Sequence, residues 1–185
     1  MALSFPFIEG LKKTAGNIDE KIFDRHFCIQ LDCNTLAAIE KGVYIQTVLK
    51  DFFAPLNKIS GPSLYWFEII SNHTPQEIIA TVKSAAASDT KRKFPRLRQL
   101  RKEDANTKIL YVGKSLGIAK RMVSHLGYHS KEDNHGLQLC HWAKGIGLQL
   151  QLHCIVLPAT VGGFLDYFEF ELAKYFNPII GKRRF

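Results

Sequence analysis

A chain of 185 residues, 46% of them hydrophobic, can bury one substantial core but is too short for a string of domains. No stretch approaches the roughly 20 consecutive apolar residues of a membrane-spanning helix, which excludes a membrane-embedded class. Lysine and arginine number 25 against 17 aspartates and glutamates, and the formal charge of +8 points to a polyanionic partner, with simple solubility as the competing explanation.

The N-terminal stretch MALSFPFIEGLKK lacks the basic start and long apolar middle of a secretory signal. With four scattered cysteines, this sets the expectation of free thiols and a cytoplasmic location. Helices are predicted over 18–31 and 33–53, from the spacing of Ile22, Phe23, His26 and Phe27 and of Val48, Leu49, Phe52 and Phe53. Residues 1–60 then form a helical N-terminal extension, punctuated by Pro55 and Gly61-Pro62. SLYWFEII, from Ser63 to Ile70, is short, aromatic and branched, and predicts a strand. A helix over 75–87 follows, with Thr74 ahead of it and Pro75 in its first turn.

SDTKRKFPRLRQLRKEDANT is a charged, proline-containing loop, and KILYVG is the second strand. Helices are predicted over 116–126 and 135–144. LQLQLHCIVL, from Leu148 to Leu157, opens with strict alternation and is the third strand. The last helix, about 162–176, carries Phe164, Phe168, Leu172, Tyr175 and Phe176 on one stripe and stops before Pro178.

Gly113-Lys114-Ser115 looks like the end of a phosphate-binding loop. Such a loop needs a glycine five residues before Gly113, and Lys108 stands there inside a strand, so nucleotide binding of that type is excluded. What remains is a strand, a glycine turn and a helix on which Arg121 and His125 share a face. Ile118, Met122 and Leu126 form the neighbouring apolar stripe, so both polar groups are expected at the edge of the packed face, beside the sheet.

These residue types suit phosphodiester hydrolysis. That reaction needs an activated water, positive charge on the phosphate and help for the leaving oxygen. A hard divalent cation supplies much of this and requires a carboxylate. Arg121 can bind two phosphate oxygens at once. A strand tyrosine, Tyr65 or Tyr111, could relay a proton if nearby cations acidified it, and each is otherwise a core residue. Glu169 and Glu171 fall at opposite borders of the last helix's apolar stripe, and periodicity does not choose between them. Lys114 is a phosphate contact or an exposed side chain.

Taken together, SLYWFEI, LYVGKSLGIAKRMVSHL and EFELAKYFNP resemble the GIY-YIG nuclease family. Ser63-Leu64-Tyr65 stands where that family has Gly-Ile-Tyr, and Tyr111-Val112-Gly113 where it has Tyr-Ile-Gly. Arg121 follows Tyr111 by the family's ten residues, and His125 lies one turn later. Glu169, Leu172 and Pro178 match the family's glutamate, leucine and proline, and this spacing favours Glu169 over Glu171. The resemblance covers Gly61 to about Gly181.

It implies an α+β fold with a small three-stranded, mainly antiparallel sheet flanked by helices, occupying 61–185 after the helical extension. It also implies an insertion at about 72–107, since the two tripeptides usually share a tight hairpin. Cleavage of DNA with Mg²⁺ (or Mn²⁺) is the implied activity, with Tyr65 or Tyr111 near the water, Arg121 on the phosphate and Glu169 on the metal. Whether a tyrosine or His125 is the general base stays open. Gly181 occupies the place of a family asparagine three residues after the proline. A nucleic-acid-binding module that does not cleave is the alternative.

From Lys91 to Lys102 there are seven basic residues and no acidic one: Lys91, Arg92, Lys93, Arg96, Arg98, Arg101 and Lys102. Either this is a solvated loop, or it is an arm along the nucleic-acid backbone, which its position between the two site strands favours. Cys140-His141, His153-Cys154 and the group of His26, Cys28 and Cys33 fit no zinc-ligand spacing, and the cysteines are expected as small core residues.

Overall fold

The computed structural model describes residues 25–38, 44–100, 104–129 and 136–181. Over them the chain is α+β, with a four-stranded antiparallel open sheet and six α-helices. The strands are β1 (His26–Asp32), β2 (Ser63–Ile69), β3 (Ile109–Ser115) and β4 (Gln149–Val156), in spatial order β1-β4-β2-β3. The helices are α1 (Ile45–Val48), α2 (Lys50–Leu56), α3 (Pro75–Ser88), α4 (Ile118–Leu126), α5 (Leu139–Trp142) and α6 (Leu165–Phe176). None is long and apolar enough to cross a membrane, among the described residues.

The fourth strand corrects the three-stranded expectation. β1 falls inside the helix predicted over 18–31, whose earlier part lies outside the described residues. Phe27, Ile29 and Leu31 alternate with the exposed Cys28, Gln30 and Asp32, a period of two. The four-residue spacing of Phe23 and Phe27 suggests a helix, but β1 gains a full register of antiparallel pairing with β4, from His26 opposite Ile155 to Asp32 opposite Gln149. The helix predicted over 33–53 is likewise broken. Cys33–Ala38 is a 3₁₀ turn, α1 and α2 follow, and 39–43 lie outside the described residues. That over 135–144 shrinks to the four residues of α5.

β2 runs through the middle and is covered on both faces, which is why its sequence is almost continuously apolar. Tyr65, Phe67 and Ile69 point into one core, with Ile118, Met122 and Leu126 of α4. Leu64 and Trp66 point into the other, with Phe168 and Leu172 of α6. The sheet therefore separates α4 from α6, and β3 is its edge on the side where the site residues meet.

That edge is not bare. The N–H groups of Ile179 and Ile180 donate to the carbonyls of Ile109 and Leu110 at 2.9 Å each, laying 178–181 beside β3. Outside it, Arg98 N–H donates to the Ile179 carbonyl (3.0 Å) and Gly181 N–H to the Arg96 carbonyl (2.9 Å), with Leu97 paired antiparallel to Ile180. The charged segment expected as a loop is thus tied by backbone bonds at 96–98.

Side chains lock the same junction. Asn177 caps α6 in the left-handed conformation, φ +48°. Its amide donates to Asp104 Oδ1 (2.6 Å), and its Oδ1 accepts from Arg98 Nη2 (3.2 Å), while Arg98 Nη1 donates to the Pro178 carbonyl (3.2 Å). Asn177→Gly keeps the backbone shape and loses both side-chain bonds, so urea denaturation should show a loss of about 1–3 kcal/mol. Asn177→Ala should lose about 1 kcal/mol more, because alanine is strained at this φ.

Candidate active site

Tyr65 and His125 are fully buried and Arg121 only partly. Tyr65 reaches across from the middle of β2, and α4 delivers Arg121 and His125 one turn apart. His125 Nε2 lies 2.7 Å from the Tyr65 phenol oxygen, and Arg121 Nε donates to the same oxygen at 3.3 Å. Leu137 N–H donates to His125 Nδ1 (3.1 Å). A ring nitrogen that accepts carries no proton, so in the neutral imidazole Nε2 bears it and donates to Tyr65. The phenol oxygen accepts from both neighbours.

Electrostatics agree with this assignment. Burial, reinforced by the Arg121 charge, holds the His125 pKa well below the ordinary value, so the ring stays neutral. Burial, together with Tyr111, raises the Tyr65 pKa well above that of a free phenol, with Arg121 opposing. Burial acts against the Arg121 charge, yet the Tyr65 and Tyr111 phenols outweigh it and raise its pKa. His125 also packs edgewise or tilted against Tyr65, Phe67 and Tyr111, at ring-centroid distances of 5.5, 5.8 and 5.0 Å. The expectation that both polar groups sit at the edge of the packed face holds for Arg121 and fails for His125. The ring closes over the β2 aromatics because its hydrogen bonds are met inside.

In front of this cluster opens a cavity of about 650 Å³. Tyr111, Lys114, Arg121 and Glu169 line it; Tyr65, His125 and Glu171 do not. The choice between the two glutamates, which periodicity leaves open, is made by the roll of α6 against the sheet: Glu169 faces the cavity. Lys114 pairs with the exposed Asp166 of α6, a surface contact of small energetic weight.

The basic segment divides. Lys93, Arg96 and Arg98 line the cavity. Lys91 is exposed away from it, and Arg92 pairs with Asp89 at 3.3 Å. The Arg98 fork is spent on Asn177 and Pro178, so it braces the wall and is not a free phosphate contact. Arg101 and Lys102 lie outside the described residues. Sequence reasoning missed Phe94 and Phe170, which line the same cavity; both read as ordinary apolar residues, and only the ladder from 96–98 to 178–181 turns Phe94 inward. The four cysteines are free. Burial pushes the Cys140 thiol up to about 11 and the Cys154 thiol to about 12.

Two glycines carry conformational weight. Gly113 pairs with Tyr65 across β2 and β3, and a Cβ there would sit 2.5 Å from the Tyr65 hydroxyl. Gly181 has φ +150°, a conformation strained for any residue that carries a side chain. Comparison with family models, with curated proteins and with solved structures returned no match.

Gly113→Ala should drive the Tyr65 hydroxyl off Arg121 and His125 at a cost of about 1–3 kcal/mol, measured by denaturant unfolding. Adding Tyr65→Phe to this variant should not restore the loss, because the ring carbons Tyr65 Cζ and Tyr111 Cε1 would still lie 2.6 and 2.7 Å from the new Cβ. His125 further predicts acid sensitivity. Its folded pKa lies below its unfolded one, so below about pH 6.5 the unfolded chain binds a proton that the folded chain refuses, and stability falls as pH falls. The slope from this group is at most about 1.4 kcal/mol per pH unit. His26 and His153 are displaced in the same direction, mainly by burial, so His125→Gln should remove about one proton from the slope and leave the remainder.

Proposed function

We propose that the chain is a divalent-metal-dependent endonuclease acting on DNA, built on a GIY-YIG-like framework. The observation that carries this reading is convergence. Tyr111 from β3, Arg121 from α4 and Glu169 from α6 line one cavity, though 58 residues span Tyr111 to Glu169 in the sequence. Lys93 and Arg96 add positive charge on the same cavity, as a polyanionic substrate requires.

Each side chain has a part. Arg121 gives its Nε–H to Tyr65, which fixes the plane of the guanidinium and leaves the remaining donors for phosphate oxygens. Tyr111 lines the cavity together with Arg121, whereas Tyr65 does not, so Tyr111 is the tyrosine placed beside an attacking water; its phenol would take that water's proton as it passes its own on. Tyr65 and His125 never meet the substrate; they position Arg121. Glu169 fits a magnesium or manganese ion, because such an ion takes one or two carboxylates and completes its shell with water and phosphate oxygens. Among the described residues no group of three or more His, Cys, Asp or Glu side chains could hold a metal without that help. When bound, the ion supplies charge for the developing phosphorane and acidifies water.

The non-cleaving binding module has one observation in its favour, Gly181 in place of the family asparagine. A supercoiled-plasmid assay separates the two. With Mg²⁺ the wild type should nick, and chelator should stop it. Glu169→Gln should lower nicking by at least about a hundredfold while retaining DNA binding, and Glu171→Gln should stay within about twofold. Binding without nicking in the wild type would favour the binder; loss in Glu171→Gln alone would contradict the assignment of Glu169.

A further inference from the structure

The cavity, about 650 Å³, has the size of a site that encloses a small organic ligand, about 300–1,000 Å³, and part of its wall is apolar, which a phosphodiester and its cation do not require. Phe94, Pro95, Phe170 and Ala173 line the cavity beside the polar residues. Phe94 and Pro95 come from the insertion between β2 and β3, and the backbone ladder of Arg96 and Arg98 to 179–181 holds them against the site.

Resting on the nuclease reading, we infer that this apolar half is a nucleobase subsite: the cavity takes a nucleotide out of the base stack, its base against Phe94 and Phe170 and its phosphate at Arg121. Every base offers a π-face to an aromatic side chain, and such stacking is sequence-tolerant. A base still paired in a duplex cannot enter a cavity that also holds its own phosphate. The substrate class is therefore DNA with an unpaired nucleotide, as at a bulge, flap or gap, and the insertion confers the preference. The basic rim gives affinity for any strand, and the aromatic half selects.

The test compares three short duplexes by fluorescence anisotropy with the wild-type chain in chelator: fully paired, with a one-nucleotide adenine bulge, and with an abasic bulge in the same place. The two bulges share length and flanking sequence and differ in the base. The adenine bulge should bind about tenfold tighter than the abasic one. Phe94→Leu keeps an apolar side chain of smaller volume but not the ring, and should lose most of that preference with the melting temperature lowered by no more than a few degrees. If Phe94→Leu melts lower than that, Phe170→Leu carries the same comparison. Equal binding of the two bulges by the wild type, or a preference that survives both substitutions, overturns the subsite while leaving the nuclease reading standing. Failure to bind any of the three duplexes defeats both.

Discussion

The phenol oxygen of Tyr65, accepting from Arg121 Nε and His125 Nε2 inside the core, is the contact on which the candidate site depends. It lies where three elements cross: β2 supplies the tyrosine, α4 the two donors, and β3 passes so close that its residue must be Gly113. A guanidinium half-removed from water is costly unless its donors are met. Tyr65 takes the Nε–H, and the Tyr65 and Tyr111 phenols together favour the charged form, so the charge is retained at the cavity wall. The low local dielectric strengthens each of these bonds and penalises the loss of any one.

The second constraint is the order of chains beyond β3. Residues 178–181 add along its edge, and 96–98 add outside them. An exposed strand edge would otherwise offer unpaired backbone groups to another chain. Covering it also closes the cavity on that side, and it ties the end of α6, which carries Glu169, to the segment between α3 and β3, which carries Phe94. The Arg98, Asn177 and Asp104 side chains fasten that corner. Stability at this junction and the shape of the site are one problem for the chain.

On the far face of the sheet His153 stacks on Trp66 at 4.7 Å and hydrogen-bonds Glu68 and His26. The sequence offered no reason for two histidines there. Burial lowers both pKa values, and the group serves packing between β1, β4 and β2, with both ring nitrogens of His153 hydrogen-bonded inside it.

Local chemistry was legible. The apolar alternation of β4, the aromatic run of β2, the Thr74-Pro75 start of α3 and the four-residue spacing on α4 all carry their periods in the sequence, and those elements form as read. β1 was misread because Phe23 and Phe27 fit a helical period, while the deciding partner, β4, lies more than a hundred residues away. The identities of Arg121, His125, Tyr65 and Tyr111 were visible, yet their division into a buried pair and a cavity-facing pair was not. Side-chain type and spacing are set by the sequence; burial depends on which face another element covers, and a one-dimensional pattern does not encode that. The same reason separates Glu169 from Glu171 and makes Arg98 a brace, since both are decided by the roll of α6 and the pairing of 96–98 with 178–181.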